Sequence, residues 1–147
     1  MSTAPIVSIE YEGEAVRQML NELTGRIGNL YSPMANIGEY LLMATDDRFE
    51  QEVDPDGVPW QPNSPSILAF KRENKRILKI LQSTGRLRGS ITYLADETSV
   101  AVGTNIGYAP DHQLGLNGMA QRSFLGISAG DEAVILEILE DHLLSVT

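Results

Sequence analysis

The segment from Asp54 to Pro62 is the strongest constraint that this sequence places on its fold. Its nine residues contain three prolines and an Asp-Gly pair. Proline lacks a backbone donor and has a fixed φ, so neither a helix nor a central strand can cross this segment. The sequence therefore predicts a loop held by turns, with helices before and after it. Trp60, the only tryptophan, is predicted to anchor that loop on the core.

Apolar periodicity predicts two helices before the loop. The first runs from Glu14 to about Ile27 along a stripe of apolar residues at three- and four-residue steps. The second is predicted to begin at Ser32-Pro33, with the serine as its cap, and to reach about Glu52.

Two further helices are predicted after the loop. Ser64-Pro65 has the same pattern as the earlier start and predicts a basic helix from about Ser66 to Asn74. The residues Ser128 to Asp131 predict a capping box, followed by an acidic, apolar-striped final helix.

Alternating polar and apolar residues predict a small sheet. A strand is predicted from Ile6 to Tyr11, a β-hairpin from Ser90 to Val102 around a turn at 95–98, and a last short strand at Phe124 to Ile127. The remaining segments are predicted as a loop at 103–107, a helical turn at 108–115 and a flexible tip at 116–121. The predicted fold class is therefore α+β: helices packed around a small, mostly antiparallel sheet, with an acidic C-terminal helix, in a single domain of residues 1–147.

The residue types argue against an enzyme or a metalloprotein. The chain has no cysteine and two histidines, and it lacks a metal-spaced histidine pair, a phosphate-binding glycine loop and a nucleophile elbow. His112 is expected to be structural and to donate to a backbone carbonyl. No catalytic residue, metal ligand or cofactor is predicted. The apolar runs are shorter than the roughly 18 residues of a membrane span and no secretory signal is evident, so we expect a cytosolic product with no membrane association.

The charge is divided unevenly along the chain. Its net charge is −9, with 20 acids and 11 bases. Between Lys71 and Arg88 lie seven bases and one acid, a local charge of +6, which leaves −15 for the remainder. This basic segment either forms a solvated face or meets an acidic face of another subunit or partner. The acidic total argues against nucleic-acid binding through the overall electrostatic field, and no sequence-specific nucleic-acid partner is predicted. The candidate interface residues are Lys71, Arg72, Lys75, Arg76, Lys79, Arg86 and Arg88.

Several ordered motifs resemble a known family. They are E-V-D-P-D-G-V-P-W-Q-P-N-S-P-S (52–66), S-T-G-R-L-R-G-S-I (83–91), V-A-V-G-T-N-I-G-Y-A-P-D-H-Q-L-G (100–115), R-S-F-L-G-I-S (122–128) and the acidic last helix. In this order they resemble the Mu-like phage virion morphogenesis proteins, also called tail completion proteins. The motif positions are Asp54, Pro55, Asp56, Gly57, Trp60, Thr84, Gly85, Leu87, Ser90, Tyr108, His112, Gly115, Phe124, Leu125 and Gly126.

The resemblance implies a structural, non-enzymatic role in virion assembly. It implies tail completion and head-tail joining at the tail or neck of a phage or prophage particle that is assembled in the bacterial cytoplasm. Such positions are usually occupied by rings, so a homo-oligomer and other phage tail or neck proteins are the expected partners. The alternative is a head-side connector or adaptor of the neck. A ring of identical subunits needs two different complementary faces, which the uneven charge can supply.

Overall fold

The computed structural model of the protein describes residues 7–8, 13–26 and 29–145. Within these ranges the chain forms helices around a small antiparallel sheet, which confirms the predicted α+β class. The elements in chain order are β1 (Val7–Ser8), α1 (Glu14–Arg26), α2 (Tyr31–Gln51), α3 (Pro65–Glu73), α4 (Arg86–Gly89), β2 (Thr92–Ala95), β3 (Val100–Thr104), α5 (Ala109–Leu114) and α6 (Ala129–Ser145).

The strands form one antiparallel sheet in the order β1-β3-β2, and the predicted hairpin is confirmed as β2 and β3. β3 continues through Gly103 and Thr104, so the loop predicted to begin at Gly103 is wrong at its start. The extension arises because Gly103 pairs with Thr92 on one side and with Ser8 on the other, and neither contact is visible in local periodicity. Of the strand predicted at 6–11, residues 7–8 are confirmed, and the rest lies outside the described residues.

The two N-terminal helices follow the predicted apolar stripes. α1 ends at Arg26, and Ile27, predicted as the last residue of its stripe, lies outside the described residues. α2 packs against both the sheet and α6, and α1 also packs against α6. α2 is therefore the central helix of the fold. Its buried residues are Pro33, Met34, Ile37, Gly38, Leu41, Thr45, Arg48 and Phe49.

Two predicted helix caps are confirmed. Ser64 precedes α3, and its Oγ accepts a hydrogen bond from the Ile67 amide at 3.3 Å. At the start of α6, the Asp131 amide donates to Ser128 Oγ and the Ser128 amide donates to the Asp131 carboxylate, each at 3.0 Å. This reciprocal pair is a capping box with aspartate in place of the more usual glutamate.

The predicted serine cap of α2 is wrong. The helix begins at Tyr31, one residue before Ser32, and Leu30 at the N-cap position has no capping side chain. The Tyr31 amide donates instead to Oδ1 of Asn29 at 3.0 Å. The asparagine thus supplies, from two residues upstream, the acceptor that the serine was expected to supply.

The predicted strand at 124–127 is also wrong, because this segment pairs with no strand of the described residues. Side chains instead form hydrogen bonds with the backbone amides and carbonyls of this segment. Gln113 of α5 accepts from the amides of Phe124 and Leu125 and donates to the Leu125 carbonyl. Arg48 of α2 donates to two further carbonyls of the segment. The buried backbone is thereby satisfied without a neighbouring strand.

The proline-rich segment is a loop, and Trp60 anchors it as predicted. The indole is 5% exposed and packs edge-on against Phe49, with the ring centroids 5.5 Å apart. Its Nε1 donates to the Ser123 carbonyl at 2.8 Å. Within the loop, Oδ1 of Asp54 accepts from two amides of the following turn. The loop therefore combines local turn chemistry with one buried aromatic anchor.

A buried ion pair joins α2 to the start of α6. The Arg48 guanidinium donates to the Asp131 carboxylate, and both side chains are almost entirely buried. Tyr40 donates to the other carboxylate oxygen at 2.7 Å. Burial, together with this hydrogen bond, raises the pKa of Tyr40 to about 12. Burial alone would raise the pKa of Asp131, but the hydrogen bonds with Ser128 and Tyr40 and the Arg48 charge outweigh it and hold that pKa below its ordinary value. Removing one partner of such a pair leaves an uncompensated buried charge.

Replacing Arg48 by methionine should destabilise the fold by roughly 3–5 kcal/mol, because the Asp131 carboxylate then stays buried without its counter-ion. The measurement is the free energy of unfolding from urea titration at neutral pH. The matched control is Arg17→Met, which removes an arginine from the exposed pair with Glu14 on α1 and should cost less than about 1 kcal/mol. Equal losses in the two variants would contradict the role given to the buried pair.

The loss in Arg48→Met should shrink as the pH falls. In the wild type, the folded-state pKa of Asp131 is lowered, so its stabilisation is present above the unfolded pKa of about 3.9 and is lost as the pH falls through the folded pKa. In the variant, protonation of Asp131 removes the unpaired charge. Urea titrations of both proteins from neutral pH to about pH 3 should therefore converge. A constant difference would show that the carboxylate charge is not the cause.

Replacing Gly126 by alanine should destabilise the fold by about 1–3 kcal/mol, because the added Cβ would lie 2.5 Å from Cγ of Pro55 in the proline-rich loop. Thermal unfolding should show the loss. The control is Gly107→Ala, where the added Cβ meets no heavy atom within 4 Å. If Gly126→Ala is as stable as its control, the loop does not pack tightly on this segment.

Candidate functional site

The basic segment, residues 71–88, covers the end of α3, the turns that follow it and most of α4. Lys71 and Lys79 stabilise these turns. The buried Lys71 donates through Nζ to the Lys79 carbonyl at 3.0 Å, and burial lowers the pKa of Lys71, with the Arg122 charge acting in the same direction. Nζ of Lys79 donates to the Glu50 carbonyl at 2.7 Å and lies 3.3 Å from the Glu50 carboxylate. Both lysines are therefore engaged within the chain.

Arg88 connects α4 to α2. Its guanidinium binds the Asp46 carboxylate at two points, with Nε at 2.7 Å and Nη2 at 3.0 Å. Nη1 donates to Glu50 at 3.0 Å and to the Gln82 side chain at 2.9 Å. Hydrogen bonds from Arg88 lower the pKa values of both Asp46 and Glu50. Such bidentate geometry favours a defined position of the short helix α4 on α2.

The other four cations of the basic segment are exposed: Arg72, Lys75, Arg76 and Arg86. Their side chains have no hydrogen-bond or ion-pair partner among the described residues. The tertiary structure thus separates the seven predicted interface residues into three with partners inside the chain and four that face solvent. We refer to these four residues as the free cationic surface.

The S-T-G-R-L-R-G-S-I motif forms α4, which is not among the predicted helices, and the turn into β2. Gly85 precedes α4 with a φ of 77°, a left-handed conformation that glycine adopts without steric cost. Leu87 is buried in the core. Ser90 Oγ donates to the Leu87 carbonyl and lies 2.6 Å from Thr104 Oγ1 of β3. Thr84 Oγ1 accepts from an amide at the start of α4. These motif positions therefore stabilise the fold.

An open groove of about 720 Å³ lies beside the free cationic surface. We call it the α3–α5 groove; its walls come from residues 61–71, 81–87 and 108–122. The segment Tyr108 to Gly115 contains α5 as predicted, with Gly115 as the C-cap. The residues that line the groove include the apolar Ile67, Phe70, Leu87, Tyr108 and Met119 and the cations Lys71, Arg86 and Arg122.

The groove is apolar but positively charged. Ile67, Phe70 and Met119 are 46%, 52% and 47% exposed, which is a large exposure for apolar side chains grouped in one place. None of the described residues that line the groove is acidic. The groove therefore suits an apolar ligand that carries negative charge.

His112 lines the α3–α5 groove and packs edge-on against Tyr108, with ring centroids 5.9 Å apart. Its buried Nδ1 has no hydrogen-bond partner among the described residues, so the predicted donation to a backbone carbonyl is not found at this atom. Burial lowers the pKa of His112, and the nearby Arg122 charge acts in the same direction. Both effects favour the neutral imidazole over the imidazolium.

Within the described ranges, no group of three or more His, Cys, Asp or Glu side chains is arranged to hold a metal ion. None of the helices in those ranges combines the length and the apolar character needed to cross a membrane.

Sequence reasoning missed both the Arg48–Asp131 pair and the α3–α5 groove. The pair left a signal, because Arg48 continues the apolar stripe of α2 after Leu41 and Thr45, and a cation in a buried stripe needs a buried anion. The groove left no such signal in the sequence. Its walls come from segments far apart in the sequence. In α3 the apolar residues lie next to cations, a combination that is also typical of a helix exposed to solvent.

Comparison with known proteins gives one finding. Residues 11–144 match the sequence profile described as the phage virion morphogenesis family. The searches of curated proteins and of solved structures find no match.

Replacing Arg88 by glutamate should lower the melting temperature by several degrees, because the new carboxylate would face Asp46 and Glu50 across a contact that Arg88 now neutralises. Thermal unfolding by circular dichroism measures this. The matched control is Arg86→Glu, two residues away with the same change of charge, whose exposed side chain has no partner in the described chain. Comparable loss in both variants would mean that the contact with α2 does not stabilise α4.

Proposed function

Because the chain belongs to the phage virion morphogenesis family, we propose that it is a structural, non-enzymatic subunit that completes the tail and joins it to the head. In this proposal it acts as one member of a homo-oligomeric ring at the tail or neck of the particle. Its partners are copies of itself and neighbouring tail or neck proteins.

The observation that carries the proposal is the free cationic surface. Arg72, Lys75, Arg76 and Arg86 face solvent on a chain whose net charge is −9. Outside the basic segment the chain carries nineteen acids and four bases. Complementary charge of this kind steers association and selects partners. The uneven charge supports an assembly subunit, because a basic face and an acidic remainder can supply the two different faces of a head-to-tail contact.

Loss of the protein should give filled heads and full-length but uncompleted tails that do not join. The experiment is a knockout phage or prophage, induced and examined by electron microscopy, with plasmid-borne wild type as the rescue. Free tails of normal length together with free, DNA-filled heads support tail completion. Retention of the wild-type protein on isolated heads rather than tails would favour a head-side connector. Normal joined particles in the knockout would overturn the proposal.

The double variant Arg72→Glu/Lys75→Glu should fail to rescue the knockout while folding normally, because both side chains are exposed and lack partners in the described chain. We expect at least about a tenfold fall in infectious particles, since like-charge contact costs several kcal/mol and about 1.4 kcal/mol corresponds to a factor of ten. Particle titre and thermal unfolding are measured together.

The control for this variant is the exchange Arg72→Lys/Lys75→Arg, which keeps both charges and should rescue fully. If the glutamate variant also rescues at the wild-type level, Arg72 and Lys75 do not belong to an assembly interface.

A further inference from the structure

We propose that the α3–α5 groove binds the C-terminal end of α6 from a second copy of this chain. The inference rests on the proposed function, because it specifies the contact that would link neighbouring subunits of the ring. It assigns an occupant to a groove that the proposed function does not by itself explain.

The groove has the size and the surface of a helix-docking site. It offers about 720 Å³ beside the half-exposed side chains of Ile67, Phe70 and Met119. Grouped apolar side chains that are exposed on a protein surface are typical of surfaces that a partner covers. An amphipathic helix end can bury them by inserting an apolar side chain among them.

The last turns of α6 provide a matching surface. Glu137, Glu140, Asp141 and Leu144 are all exposed, and their three- and four-residue spacing places them on one side of the helix. Leu144 is 66% exposed, more than any other large apolar side chain of the described residues. No ion pair joins the three acids to a base of the described chain. An apolar side chain flanked by carboxylates complements the apolar and cationic side chains that line the groove.

Charge favours the same pairing. Arg86, Lys71 and Arg122 line the groove, and no described acid lines it. The C-terminus of a helix carries a partial negative charge from its unpaired carbonyls, which adds to that of the acids on α6. Arg86 is the exposed one of the three cations and belongs to the free cationic surface, so it is the natural partner for a carboxylate such as Glu140.

The positions of the two surfaces make the contact head-to-tail. α6 packs on α1 and α2, whereas the groove is built from α3, α4 and α5 with their loops. The two faces are therefore different parts of the subunit. A contact between different faces is heterologous, and it closes into a ring when the rotation between neighbours is suitable.

Cysteine cross-linking tests the contact directly, because the natural chain has no cysteine. The double variant Met119→Cys/Leu144→Cys places one thiol in the groove and one at the end of α6. We expect a short bismaleimide to produce a covalent ladder of multimers, both in the purified protein and in isolated tails. The control pair Met119→Cys/Met43→Cys keeps the groove thiol and moves the other to Met43, a more than half-exposed site on α2. Thermal unfolding verifies that both variants fold.

The outcomes separate this inference from the proposed function. No ladder above the control, in solution and in tails, overturns the α6 contact. Cross-linking of Met119→Cys to a different tail or neck protein also overturns it, since the groove then belongs to that partner, while the proposed function stands. Failure of the proposed function is seen independently as joined, infectious particles in the knockout.

A charge exchange provides a second readout. Arg86→Glu in the cysteine pair should lower the yield of cross-linked multimers at least about fivefold, and adding Glu140→Arg should restore most of it, as expected for a coupling of about 1 kcal/mol. Recovery by Glu140→Arg but not by Glu73→Arg identifies α6 as the partner. An unchanged yield in Arg86→Glu, or equal recovery by both arginine variants, counts against the contact.

Discussion

The contact between Arg48 and Asp131 is the interaction on which the arrangement of the fold depends. One guanidinium of α2 binds the carboxylate at the start of α6 and also donates to the carbonyls of Phe124 and Gly126. The same carboxylate forms half of the capping box with Ser128. The group that begins α6 is therefore also the group that binds α6 to α2. A buried cation that serves three partners gives its full stabilisation in one arrangement only, because any shift leaves a charge or a carbonyl unpaired.

α2 positions the candidate interaction surface as well as the core. Asp46 and Glu50, on its exposed side, hold Arg88 of α4, and Glu50 also holds Lys79. These contacts fix the turns between α3 and α4 against the helix that also carries Arg48. The free cationic surface and one wall of the α3–α5 groove are therefore connected to α2 through these side-chain contacts.

The accuracy of the sequence-based predictions follows the range of the interactions involved. The Ser64 cap and the capping box at Ser128 are confirmed because each joins groups three residues apart. The strand predicted at 124–127 fails because Gln113 and Arg48 take the place of a neighbouring strand. The prediction that Trp60 anchors the loop is confirmed for a different reason. A tryptophan side chain has a large apolar area, and packing it on the core removes that area from water.

The sequence by itself determined the loop at 54–62, most helix ends, the hairpin and the uneven charge, because turns, caps and amphipathic stripes depend on residues within a few positions of one another. The tertiary structure alone decided which cations of the basic segment remain free. Arg88 finds its acids 42 and 38 residues away, and no local pattern distinguishes it from Arg86, two residues earlier. The groove has the same origin: it exists only where distant segments pack incompletely, and packing is a property of the folded chain.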